Sequence, residues 1–210
     1  MSPMIAATHD PAGALATSAA TEILQQFNAW LEDAMRHGVP TPKAMSLATV
    51  DATGSPSVRI VDLNYADERG FVFFTNLRSS KAGDLAAHPR AALCFHWKEI
   101  GRQVRLAGRT EPVTDAEAEA EFAARPRLKQ IGAWASRQSQ PMAGSLELEQ
   151  ACAAVGLRYA LGPVPRPAFW SGYRVVPDRV EFWRQVPLDR VERVLHSQAG
   201  GRWVTQRLYP

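Results

Sequence analysis

Apolar residues at Ile23, Leu24, Phe27, Trp30, Leu31, Ala34 and Met35 recur at helical spacing, and Gly38 and Pro40 end the run. The spacing predicts one amphipathic helix entering a domain. Beyond Pro40 the apolar segments become short and are separated by turn residues, which predicts strands over 44–50, 57–65, 70–75, 91–97 and 103–110. Asp51-Ala-Thr-Gly54 has turn chemistry, and Asp67-Glu-Arg-Gly70 reads as the hairpin between the second and third strands. A short helix over 79–87 is closed by His88-Pro89. Thr114-Asp-Ala-Glu117 has capping-box spacing and opens a helix to Ala124, and further helices are predicted over 127–135 and 145–154. After the Pro-rich segment 162–167, strands are predicted near 172–176, 179–184, 193–196 and 202–208. Many short strands interrupted by a few helices predict an α+β, mainly β chain: a small antiparallel barrel with peripheral helices.

Composition narrows the function classes. Of 210 residues, 46% are hydrophobic and 21% charged, enough to bury a core in one domain over 21–210. Residues 1–20, rich in Ala, Ser and Thr, read as a mobile tail without the basic start of a signal peptide. A net charge of +3 with scattered arginines gives no phosphate-tracking block, so nucleic acid is not an expected partner. Cys94 and Cys152 lack metal-ligand spacing and the histidines form no HxH or HxxxH pattern, so no metal is expected. No apolar run approaches the roughly 20 residues of a membrane span. A cytoplasmic location follows as the expectation. Neither GxGxxG nor GxxxxGK[ST] occurs, which leaves a Rossmann site or a P-loop without support.

Three segments carry the chemistry. They are Arg125-Pro-Arg-Leu-Lys-Gln-Ile-Gly-Ala-Trp-Ala-Ser-Arg-Gln-Ser139, Pro165-Arg-Pro-Ala-Phe-Trp-Ser-Gly-Tyr-Arg174 and Arg179-Val-Glu-Phe-Trp183. In this order and spacing they resemble the pyridoxamine 5'-phosphate oxidase family, and the resemblance covers about residues 21–210. It implies an FMN-binding split β-barrel and a homodimer with FMN between the subunits.

An FMN site needs cations and hydrogen-bond donors for the phosphate, flat apolar cover for the ring, and polar groups at its pyrimidine edge. The resemblance implies Arg59 and the Ser80-Lys81 pair at the phosphate, where the family has Arg-Lys, and Phe74-Thr75 against the flavin in place of Tyr-Thr. Ser80 replaces one cation, and Arg78 is the nearby candidate to compensate. Gln103 matches the glutamine addressing the ring, Gln138-Ser139 the partner-subunit pair at the phosphate end, and Trp183 and Arg193 the C-terminal residues of the same site.

The positions that hold the substrate in typical members differ more. Lysine, tyrosine, arginine and serine there correspond to Asn64, Glu121, Arg125 and Lys129, with only Arg125 unchanged. Left open by the residues is whether Glu121 pairs internally with Arg125 or Lys129. Where members carry Arg-Leu-His-Asp/Glu-Arg, this chain reads Asp189-Arg-Val-Glu-Arg193, so Asp189 inverts a charge and Val191 removes an imidazole. The Arg-x-x-Tyr that lids the substrate in members does not occur in Met1 to Ala20.

Changes gathered on one ligand's side point to an FMN-dependent oxidase with an altered substrate pocket. It would take two electrons from a small heterocyclic or amine substrate and pass them to O2. The nearest precedent is the phenazine-biosynthesis oxidase branch, which also lacks the substrate lysine. The alternatives are a pyridoxine/pyridoxamine 5'-phosphate oxidase working through a rearranged pocket, and a non-catalytic flavin-binding module. No residue is assigned as catalytic, because hydride removal by flavin requires no obligatory strong acid or base.

Overall fold

The computed structural model describes residues 11–210, with side chains from residue 19 onward. Of the tail expected over 1–20, residues 1–10 lie outside the described residues, and from Pro11 the backbone already belongs to helix α1 (Pro11–Arg36). The segment in which no lid motif occurs falls partly outside them too. Ile23, Phe27, Leu31 and Ala34 of α1 are all buried, as their spacing predicts. Phe27 meets Phe71, Phe95 and Trp97 at 4.8, 5.0 and 6.1 Å between ring centroids, and this aromatic cluster belongs to the main core.

The strands are β1 (Ala44–Val50), β2 (Pro56–Asp62), β3 (Tyr65–Asp67), β4 (Gly70–Asn76), β5 (Arg90–Trp97), β6 (Arg102–Pro112), β7 (Trp170–Val186), β8 (Arg190–Ala199) and β9 (Arg202–Leu208). They form one antiparallel sheet in the order β2-β1-β5-β6-β7-β4-β3, with β8 and β9 branching from β7. The sheet curls into a split barrel. Leu93, Phe95 and Trp97 of β5 and Val104 and Leu106 of β6 point inward, while Ala92, Cys94, Gln103 and Arg105 point out, as the two-residue period of a strand requires.

Two departures from the predicted elements shape the site. The second strand does not run to Tyr65 and turn back on the third. β2 pairs with β1, and the chain changes partner at Leu63-Asn64: Leu63 N–H donates to Lys43 O (2.8 Å) and Asn64 N–H to Val72 O (2.9 Å). Leu63, 2% exposed, is drawn into the core, and β3 then pairs with β4 across Asp67 and Gly70. The other departure is that segments 172–176 and 179–184 are one strand, β7, running through Pro177. Its first half pairs with β4 and its second with β8, while β6 accompanies both halves and shifts register between Ala107 and Gly108. A bulge there accommodates the proline and bends the strand.

The helices are α2 (Ser80–Ala87), α3 (Asp115–Ala124), α4 (Arg127–Ala135) and α5 (Leu146–Arg158). The Thr114–Glu117 capping box is formed, with Glu117 N–H donating to Thr114 Oγ1 at 3.2 Å and Thr114 N–H to Glu117 Oε2 at 2.9 Å. Glu117 also accepts from the buried Arg174 (2.7 Å), from Arg69 (2.8 Å) and from Tyr65 (3.2 Å), which locks α3 to β3 and β7. The backbone hydrogen bond from Thr114 is the largest of the influences that hold the Glu117 carboxyl at about 2; the hydroxyl of Thr114 and the two arginines add to it, and burial opposes it. A carboxyl depressed in the folded state stabilises above its ordinary range and loses that contribution as pH falls. Glu117→Gln is therefore expected to cost about 1–2 kcal/mol at neutral pH, and urea melts should show the gap to wild type closing between about pH 4.5 and 2.

Candidate active site

A cavity of about 650 Å³ opens where β2 and β4 meet α2, α3 and α4. Arg59, Thr75, Lys81 and Gln138 line one end, and Asn64, Glu121, Arg125 and Lys129 line the other, with Phe74 and Trp170 between. The sequence-inferred flavin and substrate residues at these positions thus meet in one cleft of one protomer.

The first end is built for an anion. Arg59 donates to Thr49 Oγ1 and to Ser57 Oγ (2.8 Å) and lies 3.4 Å from Asp84, which also accepts from Thr49 Oγ1 at 2.6 Å. Lys81 is 9% exposed and donates to Gln138 Oε1 at 3.2 Å. Burial pushes its ammonium pKa down and Arg59 pushes it further, with Asp84 opposing. Two cations facing the one carboxylate of Asp84 leave an excess of positive charge. The α2 N-terminus supplies backbone donors, and Ser80 N–H donates to Ser139 Oγ at 3.3 Å. At its N-cap, Ser79 is 3% exposed, caps no helix donor, and leaves its Oγ without a hydrogen-bond partner. A phosphate group fits Arg59 and Lys81, whose excess positive charge it would neutralise; Ser79 and Ser80 stand at the adjoining α2 N-terminus and do not themselves line the cleft.

Gln138 accepts from Thr75 Oγ1 (3.3 Å) as well as from Lys81, so the pair ascribed by resemblance to a partner subunit stands beside the phosphate residues of its own protomer. Ser139 holds its place with φ +67°, in the left-handed region that a serine adopts at a cost. Asn76 donates to Ser136 O (3.3 Å), tying the end of α4 to β4. Arg78 does not line the cleft; its guanidinium lies over Phe169, 4.5 Å from the ring centroid.

At the second end Asn64 Nδ2 donates to Glu121 Oε1 at 2.6 Å. The carboxylate thus engages the amide, and forms no salt bridge with Arg125 or Lys129 among the described residues. Arg125 lies over Trp170 at 5.0 Å, and Trp170 in turn stacks on Phe74 at 5.0 Å with a 7° interplanar angle. Burial lowers the Arg125 pKa, offset in part by Glu121 and Asp62, and its buried Nε has no partner. Trp170, Ser79 and Asn76 were not singled out as site residues in the sequence. Trp170 sits inside the Pro165–Arg174 segment, and a serine before a short helix is an N-cap signal, so both left a trace.

The remaining candidates lie elsewhere. Gln103, Trp183 and Arg193 are directly cross-strand across β6, β7 and β8, on the outer face of the sheet, and do not line the cleft. Below them Glu181, 3% exposed, accepts from Arg193 (2.9 Å) and Arg105 (2.5 Å). Burial alone would raise this carboxyl, but the two arginines outweigh it and hold it below the usual range. The same face carries a shallow depression among small side chains, Ser46, Ala48, Ala92 and Ala107, with Val58 exposed at its edge. Val191 shares the outer face with Arg193, whereas Arg190 points to the opposite face and donates to Pro187 O (3.4 Å). Asp189 sits at the β7–β8 turn with φ +55°, beside Leu188 at +68°. Aspartate tolerates that backbone better than most residues, so the turn itself accounts for an acid there.

Among the described residues no group of three or more His, Cys, Asp or Glu could hold a metal, and no helix is long and apolar enough to cross a membrane.

Residues 31–158 match the family described as pyridoxamine 5'-phosphate oxidase, and residues 170–210 match the pyridoxine 5'-phosphate oxidase C-terminal dimerisation region. A pyridoxine/pyridoxamine 5'-phosphate oxidase of Caulobacter vibrioides is 53% identical over 184 residues, covering 88% of this chain and 83% of that protein. One from Azorhizobium caulinodans is 51% identical over 195 residues, covering 92% of each. Among solved structures, PhzG from Burkholderia lata, in complex with tetrahydrophenazine-1-carboxylic acid, superposes with a TM-score of 0.84 at 28% identity, covering 89% of this chain and 91% of that one.

Proposed function

The chain belongs to the pyridoxamine 5'-phosphate oxidase family of FMN-dependent oxidases, and we propose that it oxidises a small heterocyclic or amine substrate by two electrons, with O2 as acceptor, in a pocket altered from that of the vitamin B6 enzymes. The observation that carries this reading is the asymmetry of the cleft. Its anion end sets Arg59 and Lys81 against the single carboxylate of Asp84, while its other end holds a carboxylate bonded to an amide, Glu121 to Asn64.

FMN supplies the two-electron chemistry when bound. The chain's own residues hold and orient. Arg59 and Lys81, with Ser80 at the adjoining α2 N-terminus, would grip the FMN phosphate, Thr75 and Gln138 would hold the flavin's near edge, and Phe74 and Trp170 would give flat apolar cover that excludes water. Arg125, partly desolvated and lining the cleft, would bind an acceptor group on the substrate through its guanidinium. Gln103, Trp183 and Arg193 lie on the face that, through the dimerisation region, would meet a second protomer; in that arrangement FMN sits between subunits and the outer-face row completes the partner's site.

Mixing purified holoprotein anaerobically with reduced heterocycles and amines should bleach the flavin absorbance, and O2 should restore it. A flavin that no candidate bleaches overturns the reading. Pyridoxine/pyridoxamine 5'-phosphate oxidation is the second reading, favoured by the names of relatives at 51% and 53% identity and by the intact Arg125. Pyridoxal 5'-phosphate formation from saturating pyridoxamine 5'-phosphate, followed by absorbance, separates the two.

A further inference from the structure

We infer that the hydrogen-bonded Asn64–Glu121 pair is a charge filter: the Arg125–Lys129 end of the cleft admits a substrate tail carrying at most one negative charge and turns away a phosphate dianion. This deepens the altered-pocket reading and rests on it.

The charges at that end balance. Arg125 and Lys129 bring two positive charges; Glu121 lines the cleft with them, and Asp62 lines it too. Both carboxylates act on the Arg125 guanidinium. A dianion entering this end would face two carboxylates as well as two cations, with no net field drawing it in. A tail that is neutral, zwitterionic or singly anionic meets no such opposition.

Glu121 cannot readily leave. Its Oε1 accepts from Asn64 at 2.6 Å, the short length of a charge-assisted bond, and α3 is pinned by the Glu117–Arg174 network one helical turn before it. Asn64 is fixed in turn by its backbone N–H to Val72 O at the point where the chain changes strand partners. The pair is thus a built feature of the cleft wall. Because the amide satisfies one carboxylate oxygen, the carboxylate has no need of Arg125, which lines the cleft and forms no ion pair with it among the described residues. A planar, singly charged carboxylate matches the one guanidinium fork of Arg125 and needs no surplus positive field.

The test uses FMN-loaded protein and two probes that differ only in the tail, pyridoxamine and pyridoxamine 5'-phosphate. Their dissociation constants are measured by perturbation of the flavin spectrum. The wild type should bind the phosphorylated probe no more tightly than the unphosphorylated one. Glu121→Gln, which can keep the bond to Asn64 and removes only the charge, should move the ratio toward the phosphorylated probe by on the order of tenfold or more. Asn64→Lys combined with Glu121→Tyr should move it further. A wild type that strongly prefers the phosphate, an unchanged ratio in Glu121→Gln, or binding of neither probe by any of the proteins would each overturn the filter. Its failure is separable from that of the oxidase reading: a phosphate-preferring protein whose flavin is still bleached by reduced heterocycles loses the filter and keeps the oxidase. A protein that shows the ratio shift but is bleached by nothing keeps the filter and loses the oxidase.

Discussion

Lys81→Met should lose FMN while gaining stability without it. The side chain supplies one of two cations at the anion end, and removing a buried charged partner of a phosphate is expected to raise the FMN dissociation constant on the order of a hundredfold. In the FMN-free protein the same ammonium is a burden, because burial and Arg59 both oppose its charge. The pKa is lowered in the folded state, so the unfolded chain binds more protons in the window between that pKa and the ordinary lysine value of 10.5. The penalty is complete below the folded pKa and fades as pH rises through this window. FMN-free Lys81→Met should therefore melt at or above the wild-type temperature near neutral pH, with the advantage shrinking at alkaline pH. Fluorescence titration with FMN and melts of both proteins across pH check the two halves. Unchanged FMN affinity would remove Lys81 from the anion end.

Gly108→Ala should be far more damaging than its one added methyl suggests. A Cβ at Gly108 would stand 2.0 Å from Val176 O and 2.7 Å from Pro177 Cα, both backbone atoms of the neighbouring strand. No side-chain rotation relieves that contact, so β6 and β7 must separate at the bulge on which the bend of β7 depends. A loss of about 3 kcal/mol or more is expected in urea unfolding. Gly83→Ala, within α2 with nothing inside 4 Å of the new Cβ, should instead be neutral or stabilising by up to about 1 kcal/mol. Equal effects at the two glycines would contradict the close approach.

What could be read from the chain was whatever depends on neighbours in sequence. Strand β1, helix α4, strand β9 and the Thr114–Glu117 capping box fall where spacing places them, because periodicity and capping are local. The pairing of Arg59 with Lys81 in one cleft was legible only through the family resemblance. The two places where the elements were misjudged, Leu63-Asn64 and Pro177, are both points at which a strand changes its partner. A change of partner is decided by the segment a strand meets and not by its neighbours in sequence; at Pro177 the bulge also switches the core-facing positions from Tyr173 and Val175 to Val180 and Phe182.

The sequence by itself determined the β-rich class, the family and the identities of the cations and carboxylates, since these need only residue type and spacing. The tertiary structure decided what each charge answers to. Glu121 bonds Asn64 and not the arginine four residues on, Arg78 lies on Phe169, and Gln138 accepts from Lys81 of its own chain. Charges act through distances in space, and those were set by the partner switch at Leu63-Asn64, the bend in β7 and the seating of α3 and α4, all made by residues far apart in the chain.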